Sequence, residues 1–269
     1  MGIGLWLAGG AMFPVHSAPN LLTGMSKMSD IVKSQLAPHG VLRAAINMGN
    51  FLLVTGKTAS GDPDGVSPDM AHAIAERLGV PVKFVPYAKP SELADAAGTD
   101  TWDIGNIGAE PQRAMKIAFT AAYAEIEATY LVPAGSTIRS IADVDKKGNR
   151  ISVSKGSAYE LWLERNIHNA QLIRASSIPQ ALEAFVNEKM DALASLRPAL
   201  LNDVQKLPGS RILDGQFASV QQAVGCNKAA TEAAAFLSAF VEEAKASGLV
   251  GSFIKKHGVE GRLTVAPPG

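Results

Sequence analysis

The chain predicts an α/β architecture, on three observations. Short apolar strands alternate with amphipathic helices along the sequence. Helix starts carry Ser and Pro signals. Glycine-containing loops follow strands and precede helices, which is where open α/β sheets place their ligands.

The elements follow in order. Residues 42–47 read as the first strand, and 56–65 as a turn region rich in Gly, Asp and Pro. Ser67-Pro68-Asp69 opens a helix, with Ser67 as its cap, Pro68 in the first turn and Asp69 at the positive end. Met70, Ile74 and Leu78 follow at helical spacing, and Gly79 ends the helix. Residues 80–87 predict a second strand and 91–97 a helix. Trp102-Asp103-Ile104 predicts a short buried strand running into a loop over 105–111. Pro111 then begins a helix that contains Arg113. Residues 117–119 and 128–133 read as extended, and 140–144 as a helical turn. A strand over 150–154 precedes a helix opened by Ser157. A strand near Leu172-Ile173 precedes a second helix start at Ser177-Ile178-Pro179. Strands are expected over 191–196 and 219–225. The longest helix covers 229–246 and ends at Gly248, with a shorter one after it.

Composition narrows the function. Of the 269 residues, 47% are hydrophobic, enough to build one large core or two ordinary ones. Lys plus Arg and Asp plus Glu each number 25, and they are scattered, so a nucleic-acid partner is not expected. Cys226 is the single cysteine, which excludes an internal disulfide and a metal site built on thiolates. His16, His39, His72, His168 and His257 show no metal-binding spacing. No metal and no cofactor is expected.

The first residues read as an export signal. Residues 2–13 are apolar, and Ser17 and Ala18 suit a signal-peptidase cut, so 1–18 is expected to be a signal peptide. No lysine or arginine precedes the apolar run, which leaves a buried N-terminal strand or helix as the alternative. The run is too short to span a bilayer, and no other segment is apolar enough.

Three loops carry the candidate chemistry: residues 47–51, 105–113 and 154–159. Free N–H groups at a helix start bind anions, and glycine lets the backbone come close. Plain turn chemistry is the alternative for each. Arg113 stands out because the first turn of a helix disfavours a cation unless both share an anion. A guanidinium grips a carboxylate with two parallel hydrogen bonds. A solvent-facing Arg113, or a bridge to Glu110, is the other reading. Tyr87, Tyr123 and Tyr159 suit either a cleft or a core, and Glu127 either a ligand contact or a hinge salt bridge.

The order and spacing of these pieces resemble the type II periplasmic binding proteins for polar amino acids. Leu42-Arg43-Ala44-Ala45 looks like that family's opening strand, and Gly65-Val66-Ser67-Pro68-Asp69-Met70-Ala71 like its first helix start. Trp102-Asp103 through Pro111-Gln112-Arg113-Ala114, with Phe119-Thr120 to Tyr123, resembles its carboxylate-binding segment. Residues 130–136 look like the crossing into the second domain. Ile151-Ser152-Val153-Ser154-Lys155-Gly156-Ser157 resembles the second domain's anion loop. Gln222-Ala223-Val224 with Cys226-Asn227-Lys228 looks like the return crossing. The likeness covers roughly residues 40–258.

The resemblance implies a two-lobed α/β clamp with two crossings. Residues 19–131 and 220–269 would form lobe 1, and 132–219 lobe 2. A small carboxylate-bearing, amino-acid-like solute would bind between them and draw them together. Asn47, Asn50, Phe51, Tyr87, Asn106, Gly108, Ala109, Arg113, Ser154, Ser157, Ala158 and Arg197 are the expected ligand contacts. The implied protein is a periplasmic monomer that serves the membrane permease of an ABC importer and catalyses nothing. Three positions depart from the family pattern. Leu196 stands where an aspartate normally meets the ligand's amino group, which opens room for a second anionic group facing Arg197. Asn50 replaces an aromatic, and Gly108 a Ser or Thr. Two other functions share the scaffold: a dehydratase acting on a cyclic carboxylate, with Glu110 or Glu127 as acid or base, and a free ligand sensor.

Overall fold

Residues 30–269 are described here by a computed structural model. The expected signal peptide, 1–18, lies outside them. The elements run α1 (residues 30–36), β1 (Leu42–Asn47), the two-residue strands β2 (Gly56–Lys57) and β3 (Pro63–Asp64), α2 (Val66–Leu78), β4 (Val82–Tyr87), α3 (Pro90–Asp95) and β5 (Ile104–Gly108). Next come β6 (Ile117–Val132), β7 (Arg150–Ser154), α4 (Ala158–Asn166), β8 (Gln171–Ala175), α5 (Ile178–Asn187), β9 (Ala192–Leu196) and α6 (Arg197–Asp203). The chain closes with β10 (Arg211–Ile212), β11 (Ala218–Asn227), α7 (Thr231–Ala246), α8 (Leu249–Lys256) and β12 (Thr264–Val265).

One sheet organises both lobes. Its order is β4-β1-β5-β11-β6-β9-β7-β8, with β10 and β12 joined to β6. In one lobe β1 lies parallel to β4 and β5; in the other β7 lies parallel to β8 and β9. Parallel strands need helical crossovers, which is why the apolar helices sit against the sheet faces. β6 and β11 are antiparallel and form the two connections between the lobes. β6 has 16 residues, and at ~3.3 Å per residue it reaches roughly 50 Å. Its early part pairs with β11, and Ala128 to Leu131 pair with β9. Alternating small and large apolar residues let this strand bury Tyr123, Ile126, Tyr130 and Val132 along its length.

Local chemistry sets the ends of the helices. α2 begins after Gly65, not at a Ser67 cap, and position 65 requires glycine, since a Cβ there would fall 2.2 Å from the Leu53 carbonyl oxygen. Its φ of 153° is a conformation that only glycine adopts without strain. Ser67 lies inside the helix, and its hydroxyl meets the Tyr123 hydroxyl at 3.0 Å. This fixes Tyr123 in the core and takes it out of the cleft. Gly79 does end α2, in the left-handed conformation. Ser157 and Ser177 cap α4 and α5 as expected, accepting from the N–H groups of Glu160 and Gln180.

Five segments differ from the sequence reading. Residues 105–108 form strand, not loop, because β1 and β11 flank them and take their backbone bonds. Arg113 opens only a short 3-10 turn, Arg113–Met115, so no full helix starts at Pro111. The two extended pieces read at 117–119 and 128–133 belong to one strand. α6 and the helical residues 30–36 were not anticipated.

Cys226 is fully buried in β11, and burial pushes its thiol up to about 11. No helix among the described residues is long and apolar enough to cross a membrane.

Candidate ligand cleft

The two lobes meet around a cavity of about 240 Å³. Asn47, Asn50, Gly108 and Arg113 line it from one lobe; Ser154, Ser157 and Ala158 line it from the other. These are the strand ends and helix starts that the loops of the sequence pointed to.

Each group is held in place locally. The Asn47 side-chain oxygen accepts from the N–H of Gly49 at 3.1 Å. The Asn50 oxygen accepts from the N–H groups of Leu52 and Leu53 at 3.2 and 3.4 Å. Each turn therefore uses the oxygen. Among the described residues neither amide nitrogen makes a hydrogen bond, so both stay available as donors. On the opposite wall the Ser157 hydroxyl donates to the Ser154 carbonyl at 2.8 Å while capping α4. The starts of α4 and α5 both face the cavity, through Ser157-Ala158 and Ser177-Ile178.

Arg113 is the electrostatic centre. It is 6% exposed and forms no salt bridge among the described residues. Its guanidinium donates to the carbonyl of Gly108 at 2.6 Å and, across the cleft, to that of Gly156 at 3.0 Å. A guanidinium has five N–H donors, so three remain. Burial pushes it down to about 10, opposed by the field of Glu110. It therefore stays cationic at neutral pH, held in a site with no anion of its own. Burying such a charge is costly until an anion arrives.

Two further polar groups wait in the wall. The Tyr159 hydroxyl and the Gln222 side-chain oxygen are buried and complete no hydrogen bond. Burial raises the Tyr159 phenol, and the hydroxyls of Ser195, Ser157 and Ser154 act the other way. Buried polar groups without partners are rare in native proteins, and a ligand is one way to supply them.

Five expected contacts lie elsewhere. Arg197 donates to the Glu127 carboxylate at 2.5 Å and to the Gly215 carbonyl, so it braces β6 and the β10–β11 loop and leaves the cavity wall to Leu196. Tyr87 packs beside the Trp102 cluster, with its hydroxyl on Thr101 at 3.2 Å. Asn106 is wholly buried in the middle of β5, a consequence of that segment being strand. Ala109 spends its N–H on the Gln221 carbonyl at 2.7 Å, continuing the β5 pairing. Phe51 is partly exposed and lines a separate groove, which shares Ile178 and Pro179 with the cavity. Glu110 and Glu127, the carboxylates considered for acid–base work, are held by Arg165 and Arg197 and do not line the cavity.

Several lining residues escaped the sequence reading of the site: Lys89 and Pro90 at the start of α3, Ser176 to Pro179 at the start of α5, and Val220 and Gln222 of β11. Only the Ser177 cap carried a local signal. The others reach the cavity through tertiary pairing, which short-range patterns do not encode.

The fold and this cleft define a two-lobed solute-binding protein. The chain belongs to the bacterial extracellular solute-binding proteins, family 3, whose profile matches residues 50–260. It is similar to the L-cystine-binding protein TcyJ of Escherichia coli (strain K12), with 26% identity over 214 residues, 75% of this chain and 77% of that one. Among solved structures it resembles a mutant of ArgBP from T. maritima, with TM-score 0.66 and 22% identity, covering 87% of this chain and 100% of that one. It also resembles the ancestral amino acid-binding protein AncCDT-1, a precursor of cyclohexadienyl dehydratase. There the TM-score is 0.65 and the identity 22%, over 86% of this chain and 98% of that one. At these identities the structural likeness concerns the fold.

Proposed function

We propose that this protein is the substrate-binding component of an ABC importer, and that it captures a small carboxylate-bearing, amino-acid-like solute between its lobes. One observation carries the reading: Arg113 is buried and cationic in the cleft with no carboxylate of its own. The solute's carboxylate completes that site. It takes the remaining guanidinium donors, the amide nitrogens of Asn47 and Asn50, and the helix start at Ser157-Ala158.

Binding holds the lobes together because the ligand touches both at once. Arg113 already spans the gap, from Gly108 on one side to Gly156 on the other. A solute bound there adds contacts that exist only in the closed form, and so shifts the population toward it. The membrane permease then reads the closed form. The proposed lobes are residues 19–131 with 220–269, and 132–219. The protein acts as an exported monomer in the periplasm, after removal of residues 1–18. The family of solute-binding proteins supports a binding role without catalysis, and the names of its relatives support an amino-acid-like ligand.

A thermal-shift screen of amino acids and organic acids tests this reading. A ligand that binds only the folded protein raises its melting temperature by mass action. The shift should appear with a carboxylate compound and vanish in Arg113→Ala. A shift that survives in Arg113→Ala would remove Arg113 from the site.

A further inference from the structure

The charge balance of the cavity wall narrows the ligand class. Lys89, Arg113 and Lys155 line the cavity, and no aspartate or glutamate does. Three carboxylates on segments next to lining residues are already engaged. Glu110 takes Arg165. Glu160 takes Arg174 at 2.6 Å and the N–H of Gly156 at 3.1 Å. The Glu92 carboxylate accepts from the backbone N–H of Lys89 at 3.3 Å. Among the described residues neither Lys89 nor Lys155 forms an ion pair.

A ligand ammonium group would enter this space badly. It would leave its water with no carboxylate to replace it, and would meet three like charges. Leu196, Val220, Ile178 and Pro179 offer it only apolar surface. The free acceptors are neutral: the Gln222 oxygen and the Tyr159 hydroxyl, each 3% exposed. Neutral acceptors suit a hydroxyl group. The apolar residues suit a short methylene chain.

We infer that the cleft selects a small organic acid of net negative charge without an ammonium group, with short-chain dicarboxylates and their hydroxy derivatives as the fitting class. This rests on the solute-binding reading above, keeping its carboxylate and departing from its amino group. One carboxylate meets Arg113, the second meets Lys89 and Lys155 near the rim, and a hydroxyl meets Gln222 or Tyr159.

Matched acids test it by calorimetry on the purified protein. Succinate, malate and aspartate share one carbon skeleton and differ by a hydrogen, a hydroxyl or an ammonium. Glutarate, 2-hydroxyglutarate and glutamate repeat the comparison one carbon longer, and L-arginine and L-cystine complete the panel. The expected result is that an amine-free acid binds at least tenfold more tightly than its amino counterpart. Replacing both Lys89 and Lys155 with alanine should then weaken that acid tenfold or more without moving the melting temperature, because both side chains are exposed. An amino acid that binds as well as its amine-free partner overturns the inference and leaves the solute-binding reading standing. Unchanged dicarboxylate affinity in the double variant overturns the role of the second carboxylate. Binding of no compound in the panel overturns this inference and the carboxylate reading beneath it together.

Discussion

Arg165 of α4 reaches across the cleft and donates to the Glu110 carboxylate at 2.5 Å, with a second bond to the Gln112 side-chain oxygen. Glu110 is 9% exposed and Arg165 only partly covered. Burial raises the Glu110 carboxyl and Arg165 pulls it back. The pair joins residues that β5 holds in one lobe to a helix of the other, so it exists only while the lobes are together.

That pair is a latch on closure. Arg165→Ala should weaken closure by about 1 kcal/mol, since the arginine is part-exposed and its bond is screened. Ligand affinity should then fall about fivefold, mostly through faster release. Stopped-flow dissociation rates check this; an unchanged off-rate would mean that the pair re-forms in the open state.

Arg113 should be decisive for affinity and unimportant for folding. Arg113→Ala should lower ligand affinity by about a hundredfold or more, the range for a buried charge-assisted pair. The melting temperature should hold or rise, because the variant removes a buried unpaired cation. Arg113→Lys should recover little, since an ammonium lacks the planar fork. Calorimetry beside thermal melts separates the two effects.

Gly108 limits how closely the lobes approach. A Cβ there would lie 2.9 Å from the Ala158 Cβ of the opposite lobe. Gly108→Ala should prop the cleft open and cost about tenfold in affinity, near 1.4 kcal/mol. Adding Ala158→Gly should restore most of it, as expected for two residues in direct contact. Absence of rescue would place the cost inside the first lobe, where Val220 also comes within 3.1 Å.

Arg197 supplies the contrast. Its guanidinium serves Glu127 and the Gly215 carbonyl. Arg197→Ala should leave ligand affinity within about twofold and lower stability by no more than about 1 kcal/mol. A large affinity loss would return it to the ligand site.

Alkali should destabilise the protein in a defined window. The Cys226 thiol is held up to about 11 by burial, against an ordinary value near 9. Tyr123 and Tyr130 are shifted the same way. Above the ordinary thiol value the unfolded chain releases its proton while the folded chain keeps it. Stability therefore falls as pH rises from 9 toward 11, by about 2–3 kcal/mol for the thiol. Cys226→Ala should flatten that part of the profile in melts taken across it, leaving the tyrosine part.

The sequence was readable where local chemistry decides. Strands over 42–47 and 150–154 stand where their apolar patterns put them. Ser157 and Ser177 cap helices because a side-chain oxygen at the right offset is enough. Residues 105–108 were not readable: Gly-Asn-Ile-Gly has weak strand preference, and only its two neighbours make it a strand. The same non-local pairing buried Asn106 and turned Ala109 toward Gln221. Lys89 and Gln222 come from distant parts of the chain, and no pattern in either segment marks them as neighbours of Arg113. Arg197 was misplaced because its partner, Glu127, lies seventy positions away.

The solitary, inert thiol of Cys226 has a practical consequence. A maleimide dye or spin label finds no reactive native site in the folded protein at neutral pH. A cysteine pair introduced on exposed residues either side of the cleft would thus be labelled alone. Its separation would report the movement of the jaws directly, with no background to subtract.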